Sequence, residues 1–108
     1  MQIRNATREF NLALDAFVNG VQARSDARYA TDFPHSKAPQ FTVMPGAKNV
    51  RIVSSDGVSR YVFCFVRIED GAILKAAGWK APAKHARGSI YVNAGADAVG
   101  DYGAHYLR

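Results

Sequence analysis

Cysteine is nearly absent. The 108-residue chain has one, Cys64, so no internal disulfide can form and nothing suggests an oxidising compartment. Long apolar runs are also missing. No stretch approaches the roughly 20 apolar residues of a membrane span. Met1-Gln2-Ile3-Arg4-Asn5 has none of the apolar core of a signal peptide. The expectation is a soluble, cytosolic chain without membrane contact. Cofactor signatures are lacking: there is no Gly-rich phosphate loop, no Gly-x-Gly-x-x-Gly and no Cys-x-x-Cys. His35, His85 and His105 sit far apart with no metal-ligand spacing. No metal, no cofactor and no catalytic residues are expected.

The residues that come nearest to catalysis have plainer roles. Cys64 lies mid-strand between Phe63 and Phe65, the setting of an inert core thiol. Glu69 and Asp70 precede Gly71 and read as turn formers. Gly95, Gly100 and Gly103 are interleaved with Asp97 and Asp101, which would repel a phosphate. The chain is not read as an enzyme.

The bulk composition is that of a globular protein, with 48% apolar and 21% charged residues, and the length fits a single domain over 1–108. From about residue 7 to 28, Phe10, Leu14, Phe17, Val18 and Val21 recur with a 3.6-residue period. They predict one amphipathic helix, capped by Asn5 or Thr7 and with Glu9 in its first turn. Residues 29–40, with Pro34 and Pro39, read as a connection. The region 41–92 reads as β-rich. Phe41 to Met44 is a short strand before Pro45-Gly46, and Asn49 to Ser54 alternates around Val50 and Ile52. Ser55-Asp56-Gly57 is a hairpin turn. Arg60 to Ile68 is the strongest strand, with Tyr61, Phe63, Phe65 and Arg67 on one face and Val62, Cys64, Val66 and Ile68 on the other. The aromatic face is expected to receive the helix, although exposed aromatics on a sheet can also stack on RNA bases. Ala72 to Lys75 returns as a third strand. Pro82 and Gly88 bracket a predicted helix of one or two turns, and Ser89 to Val92 is a fourth strand. The remainder, 93–108, is a Gly/Ala-rich tail with Tyr102, Tyr106 and Leu107 as anchors. The predicted fold class is α+β: one N-terminal amphipathic helix packed on a three- to four-stranded antiparallel sheet.

The net charge of +5 is unevenly spread. From Leu74 to Gly88 the chain holds Lys75, Lys80, Lys84 and Arg87, one histidine (His85), the sole tryptophan (Trp79) and no acidic residue. Lys80, Lys84 and Arg87 are spaced by four and three, so a short helix would gather them on one side. Such a cluster neutralises phosphates with release of counterions. Trp79 adds a flat face on which a base can stack, or else a ring tucked over the sheet. The binding residues expected are Lys75, Trp79, Lys80, Lys84, His85 and Arg87.

The stretch Val50 to Tyr91, with its β-hairpin followed by Trp79-Lys80-Ala81-Pro82-Ala83-Lys84-His85-Ala86-Arg87-Gly88, resembles a group of small proteins of tailed bacteriophages. The ending Tyr102-Gly103-Ala104-His105-Tyr106-Leu107-Arg108 is similar to theirs as well. The resemblance covers about half the chain. It implies a phage origin and action in the host bacterial cytoplasm, and carries no activity with it. The layout also resembles double-stranded-RNA-binding domains, in which a helix and three antiparallel strands lead to a basic turn opening a helix. Lys80, Lys84 and Arg87 would stand where such domains hold phosphates. The second helix is too short and the tail too rich in glycine for that pattern, so the likeness is one of layout.

Three functions follow as expectations. The first is non-specific nucleic-acid binding, to DNA or RNA, through the basic Trp79 segment. The second is a phage effector that modulates a host protein or defence complex without catalysis. The third is a structural, virion-associated protein. No oligomeric state follows from the sequence.

Overall fold

The computed structural model describes residues 3–105. Its first element is helix α1, Arg8–Asp32. Thr7 caps it, its side-chain oxygen accepting from the backbone N–H of Phe10 at 3.0 Å. Phe10, Leu14, Phe17 and Val21 are buried as the periodicity requires, and Val18 is half-buried. Each of the fully covered large side chains contributes roughly 1.5–3 kcal/mol. Buried Asn11 ties the chain entry to the helix: its Oδ1 accepts from the Ile3 N–H at 2.7 Å, and its amide donates to the Thr7 carbonyl at 3.0 Å.

The helix is longer than predicted. Tyr29 to Asp32 continue it, and the Phe33 N–H closes it on the Tyr29 carbonyl at 2.9 Å. What stops the helix is Pro34, which disfavours the helical backbone at the residue before it. The helix therefore runs four residues past Arg28, and the connection shrinks to residues 33–39.

Five strands form one antiparallel sheet in chain order: β1 Gln40–Pro45, β2 Asn49–Ser55, β3 Arg60–Arg67, β4 Ala72–Ala76 and β5 Pro82–Ser89. The sheet thus has more strands than the three to four expected, and the extra one is the basic segment. Pro82 begins an edge strand here, not a helix. A six-residue helix without an apolar stripe has little to hold it. As strand β5 the same residues gain a ladder with β4, pairing Ala72 with Ser89, Ile73 with Gly88 and Leu74 with Ala86. An edge strand also accepts proline at its first position. The fourth strand predicted over Ser89 to Val92 is absent: β5 ends at Ser89, and Ile90 turns into the core with its N–H on the Gly71 carbonyl.

A bulge in β3 corrects the predicted faces. Ile52 pairs with Cys64, but Val53 pairs with Val62, so β3 carries one extra residue at Phe63. Phe63 and Cys64 both belong to the core under α1, and Phe63 meets Phe41 edge-on at 5.1 Å between ring centroids. Phe65, expected beside Phe63, pairs with Arg51 and Leu74 on the opposite face. Burial pushes the Cys64 thiol far up, so it stays protonated.

The tail is folded as far as it is described. A 3₁₀ segment at Asn93–Ala98 leads to a two-stranded hairpin, β6 Val99–Gly100 and β7 Gly103–Ala104. Gly95, at φ +77°, rests directly on the core: a Cβ there would lie 2.5 Å from Phe17 and 2.8 Å from Ile73. Ala98, Val99 and Ala104 complete the core that α1 begins. Tyr106 and Leu107, named as anchors, lie outside the described residues. Among the described residues, no helix is long and apolar enough to cross a membrane.

Candidate nucleic-acid interface

The sheet has one face under α1 and the tail, and one without a covering helix or strand among the described residues. Strand alternation assigns Arg51 and Val53 of β2, Arg60, Val62 and Phe65 of β3, and Leu74 of β4 to the open face. Val53, Phe65 and Leu74 are nevertheless buried, at 0%, 3% and 2% exposure. Arg51 lies over Phe65, and Trp79 is brought to the same face beside Arg51 and Arg60. The β4–β5 turn folds back with the N–H groups of Ala77 and Gly78 both on the Ala81 carbonyl, at 3.0 and 3.2 Å. Continuing the β3–β4 register beyond Phe65 and Leu74 brings Trp79 level with Arg60.

The result is a stack of cations and rings. The Arg60 guanidinium lies over the Trp79 ring at 5.0 Å and that of Arg51 at 5.1 Å, while Arg51 also lies over Phe65 at 5.7 Å. Each such contact is worth about 0.5–1 kcal/mol where partly exposed. Trp79 remains 37% exposed. It is neither the core residue nor the free platform that the sequence allowed. It is a ring held beside two guanidiniums, with part of its indole in solvent.

Lys80 joins this site. It lines a groove of about 330 Å³ together with Met44, Lys48, Arg51 and Phe65. Among the described residues, no carboxylate forms an ion pair with Arg51, Arg60 or Lys80. The Arg51 Nε is buried without a hydrogen-bond partner.

The other sequence-predicted residues part company with Trp79. A strand advances roughly 3.3 Å per residue, so Lys84 and Arg87 stand about 10 Å apart along β5 rather than side by side on a helix. Lys84 and His85 are exposed on that edge strand. Arg87 faces a structural task. Its Nε donates to the His105 carbonyl at 2.7 Å and its Nη1 to the His85 carbonyl, which fastens the tail to β5. Lys75 is half-buried in β4. The structure thus brings together Trp79 and Lys80 from the predicted set and adds Arg51 and Arg60. Arg51 carried a readable signal: it stands between Val50 and Ile52, so alternation sends a cation to the face opposite the core. Arg60 had none, because its approach to Trp79 depends on how the β4–β5 turn folds.

Among the described residues there is no group of three or more His, Cys, Asp or Glu side chains placed to hold a metal ion. Comparison with curated proteins finds no match, and comparison with solved structures finds none. The one family likeness spans nearly the whole sequence: residues 1–107 match a family of unknown function, DUF7717, and the chain belongs to that family.

Proposed function

We propose that this protein binds single-stranded nucleic acid, without strong sequence preference, across the open face of its sheet. The observation that carries the reading is the cluster of Arg51, Arg60, Trp79 and Lys80, in which two guanidiniums lie over one partly exposed indole, Lys80 shares a groove with Arg51, and among the described residues no carboxylate pairs with these cations. Phosphates supply the missing anions, and their neutralisation makes binding sensitive to salt. An unstacked base supplies a flat partner for the indole, worth roughly 1–3 kcal/mol. The guanidiniums over the ring fit this exchange: a base arriving at Trp79 frees Arg60, the more exposed of the two, to turn towards a phosphate. A single strand suits a sheet face better than a duplex does, because its bases are free to stack. The likeness of the Trp79 segment to small tailed-phage proteins makes the bacterial cytoplasm, during phage infection, the setting of this proposal.

Trp79 is the only tryptophan, so its fluorescence reports on the site directly. Titration with single-stranded DNA, single-stranded RNA and duplex DNA at two salt concentrations tests the reading. The expected result is quenching by single strands, weaker at high salt. No spectral change and no gel shift at low salt with any of the three would overturn it. A protein that stays bound from bacterial lysate after nuclease treatment, with no affinity for nucleic acid, would move the function to a host-protein effector.

A further inference from the structure

A second site lies across the sheet from Arg60, on its helix side. The last turns of α1, the end of β2, the β2–β3 turn, the start of β3 and the β6–β7 turn converge on a cleft of about 170 Å³. Three tyrosines, Tyr29, Tyr61 and Tyr102, line it. Tyr61 and Tyr102 are exposed, at 43% and 76%. Ser54 also lines it, is itself 1% exposed, and has no hydrogen-bond partner for its Oγ. Buried hydroxyls without partners are rare, and one beside a cleft is a group awaiting a ligand's polar atom.

The remaining polar groups define that ligand. Asp56 Oδ1 accepts from the N–H groups of Ser59 at 2.7 Å and Val58 at 2.9 Å, so the carboxylate is fixed by the hairpin it closes. Among the described residues its Oδ2 has no hydrogen bond. Arg28 sits over Tyr29 at 5.1 Å and Tyr102 at 5.3 Å, and its charge is met by Asp101 at 3.8 Å. Arg28 is the one cation among the lining residues, against the carboxylates of Asp56 and Asp101; the charges balance only with Arg24, which also pairs with Asp101 at 3.5 Å, and this favours a ligand without negative charge. Aromatic walls call for a planar one. The volume is below the roughly 300–1,000 Å³ of pockets for drug-sized molecules, so the ligand is small.

We propose that this cleft binds a single nucleobase bearing an exocyclic amino group. Its ring lies against Tyr61 and Tyr102, its amino group donates to Asp56 Oδ2, and a ring or carbonyl acceptor takes the Ser54 hydroxyl. Aspartate reads the amino group of cytosine in this manner in nucleic-acid complexes, and splayed bases stack on tyrosine. Such a base arrives either as a free nucleoside or as one base of a longer strand. The site uses none of the residues of the Trp79 face, so either proposal can fail without the other.

Backbone amide NMR of the full chain tests it. Cytidine, adenosine, guanosine and uridine are titrated singly, then a single-stranded oligonucleotide. Expected are shifts confined to the residues around Ser54 to Tyr61 and Asp101 to Tyr102, larger for the amino-bearing bases than for uridine. Shifts from the nucleosides identify a free nucleoside as sufficient; shifts from the oligonucleotide alone identify a base within a strand. The variant Asp56→Asn keeps the oxygen that closes the turn and replaces the outer acceptor by a donor. It is expected to weaken cytidine binding by about tenfold or more while uridine binding holds. No shift at these residues with any probe, or equal affinity for all four bases unchanged in Asp56→Asn, would overturn the proposal.

Discussion

On its helix side the sheet is filled in the manner of any domain interior: Phe10, Leu14, Phe17, Ile52, Phe63 and Ile73 interlock, and Gly95 gives way to Phe17 where the tail crosses. On its open side three residues, Val53, Phe65 and Leu74, are as deeply buried, yet the groups on that face are the Arg51 guanidinium over Phe65 and one partly exposed indole under Arg51 and Arg60. Away from the Ser54 cleft, the first face is closed by apolar atoms that want no other partner. The second is closed by groups whose charge and rings have partners elsewhere. The same backbone therefore separates stability from recognition, and substitutions on the two sides should be distinguishable by what they cost.

The largest difference is expected from Phe17→Ala. Phe17 is 1% exposed and touches both the helix core and the tail at Gly95. Truncation of such a ring costs about 3–5 kcal/mol, a large part of the roughly 5–15 kcal/mol available to a domain of this size. Urea denaturation should show a much lower midpoint, with nucleic-acid affinity intact under conditions where the variant remains folded. Equal losses of stability from Phe17→Ala and Trp79→Ala would dissolve the distinction between the faces.

Trp79→Ala comes next. With a little over a third of its surface open, the indole should contribute about 2 kcal/mol to stability, less than the 3–5 of a fully covered ring. Its loss also removes the ring under Arg51 and Arg60. Affinity for single strands should fall by about tenfold or more, since stacking is worth roughly 1–3 kcal/mol. A melt and a titration on the same sample separate the two effects.

The paired change Arg51→Gln with Arg60→Gln sharpens the contrast further. Stability should fall by about 1.5 kcal/mol, three ring contacts at about 0.5 kcal/mol each, the value for exposed cations. Binding should weaken, and the slope of log affinity against log salt should fall by about 1.4, or 0.7 per phosphate contact on a single strand. Arg87→Ala should do the reverse. It frees the His105 carbonyl and loosens the tail, while the salt slope stays near its original value.

How much of this was legible depends on what each signal measures. The α1 stripe, the β1 to β4 strands and both Asp-Gly and Pro-Gly turns were readable, because local periodicity and turn chemistry fix them. The end of α1 was misplaced by four residues because Arg28 resembles a helix terminus while Pro34 imposes the real one. The β5 segment was misread because Pro82 and Gly88 serve equally as helix brackets and as edge-strand residues, and only pairing with β4 decides between them. The bulge at Phe63 left no mark in the alternation of Tyr61 to Ile68, and with it the side taken by Phe65 was hidden. Of the site, Trp79 and Lys80 were readable by composition. Arg60 was not, because its neighbour is 19 residues away and reaches it through the fold of a turn.

The smallest effect expected concerns the β2–β3 hairpin, the element that serves both faces by sending Arg60 to one and Tyr61 to the other. Asp56 closes it. The backbone N–H groups of Ser59, first, and Val58 hold its carboxyl below the usual carboxylate range. A folded-state value depressed below the unfolded one, about 3.9, means the folded state binds the proton less readily. The stabilisation is therefore present above about pH 4 and is lost as the pH falls through the folded value. Asp70 behaves in the same direction, first because Arg67 donates to it at 2.8 and 3.0 Å and then because the Ala72 N–H does. In Asp56→Asn the turn keeps its accepting oxygen but not its charge. Its stability should lie slightly below the parent's at neutral pH, and the two curves should converge as acid neutralises Asp56 in the parent. Parallel curves down to the most acidic point would show that the charge of Asp56 does not hold the hairpin, and that the amide oxygen alone suffices to present Arg60 and Tyr61 to their two sides.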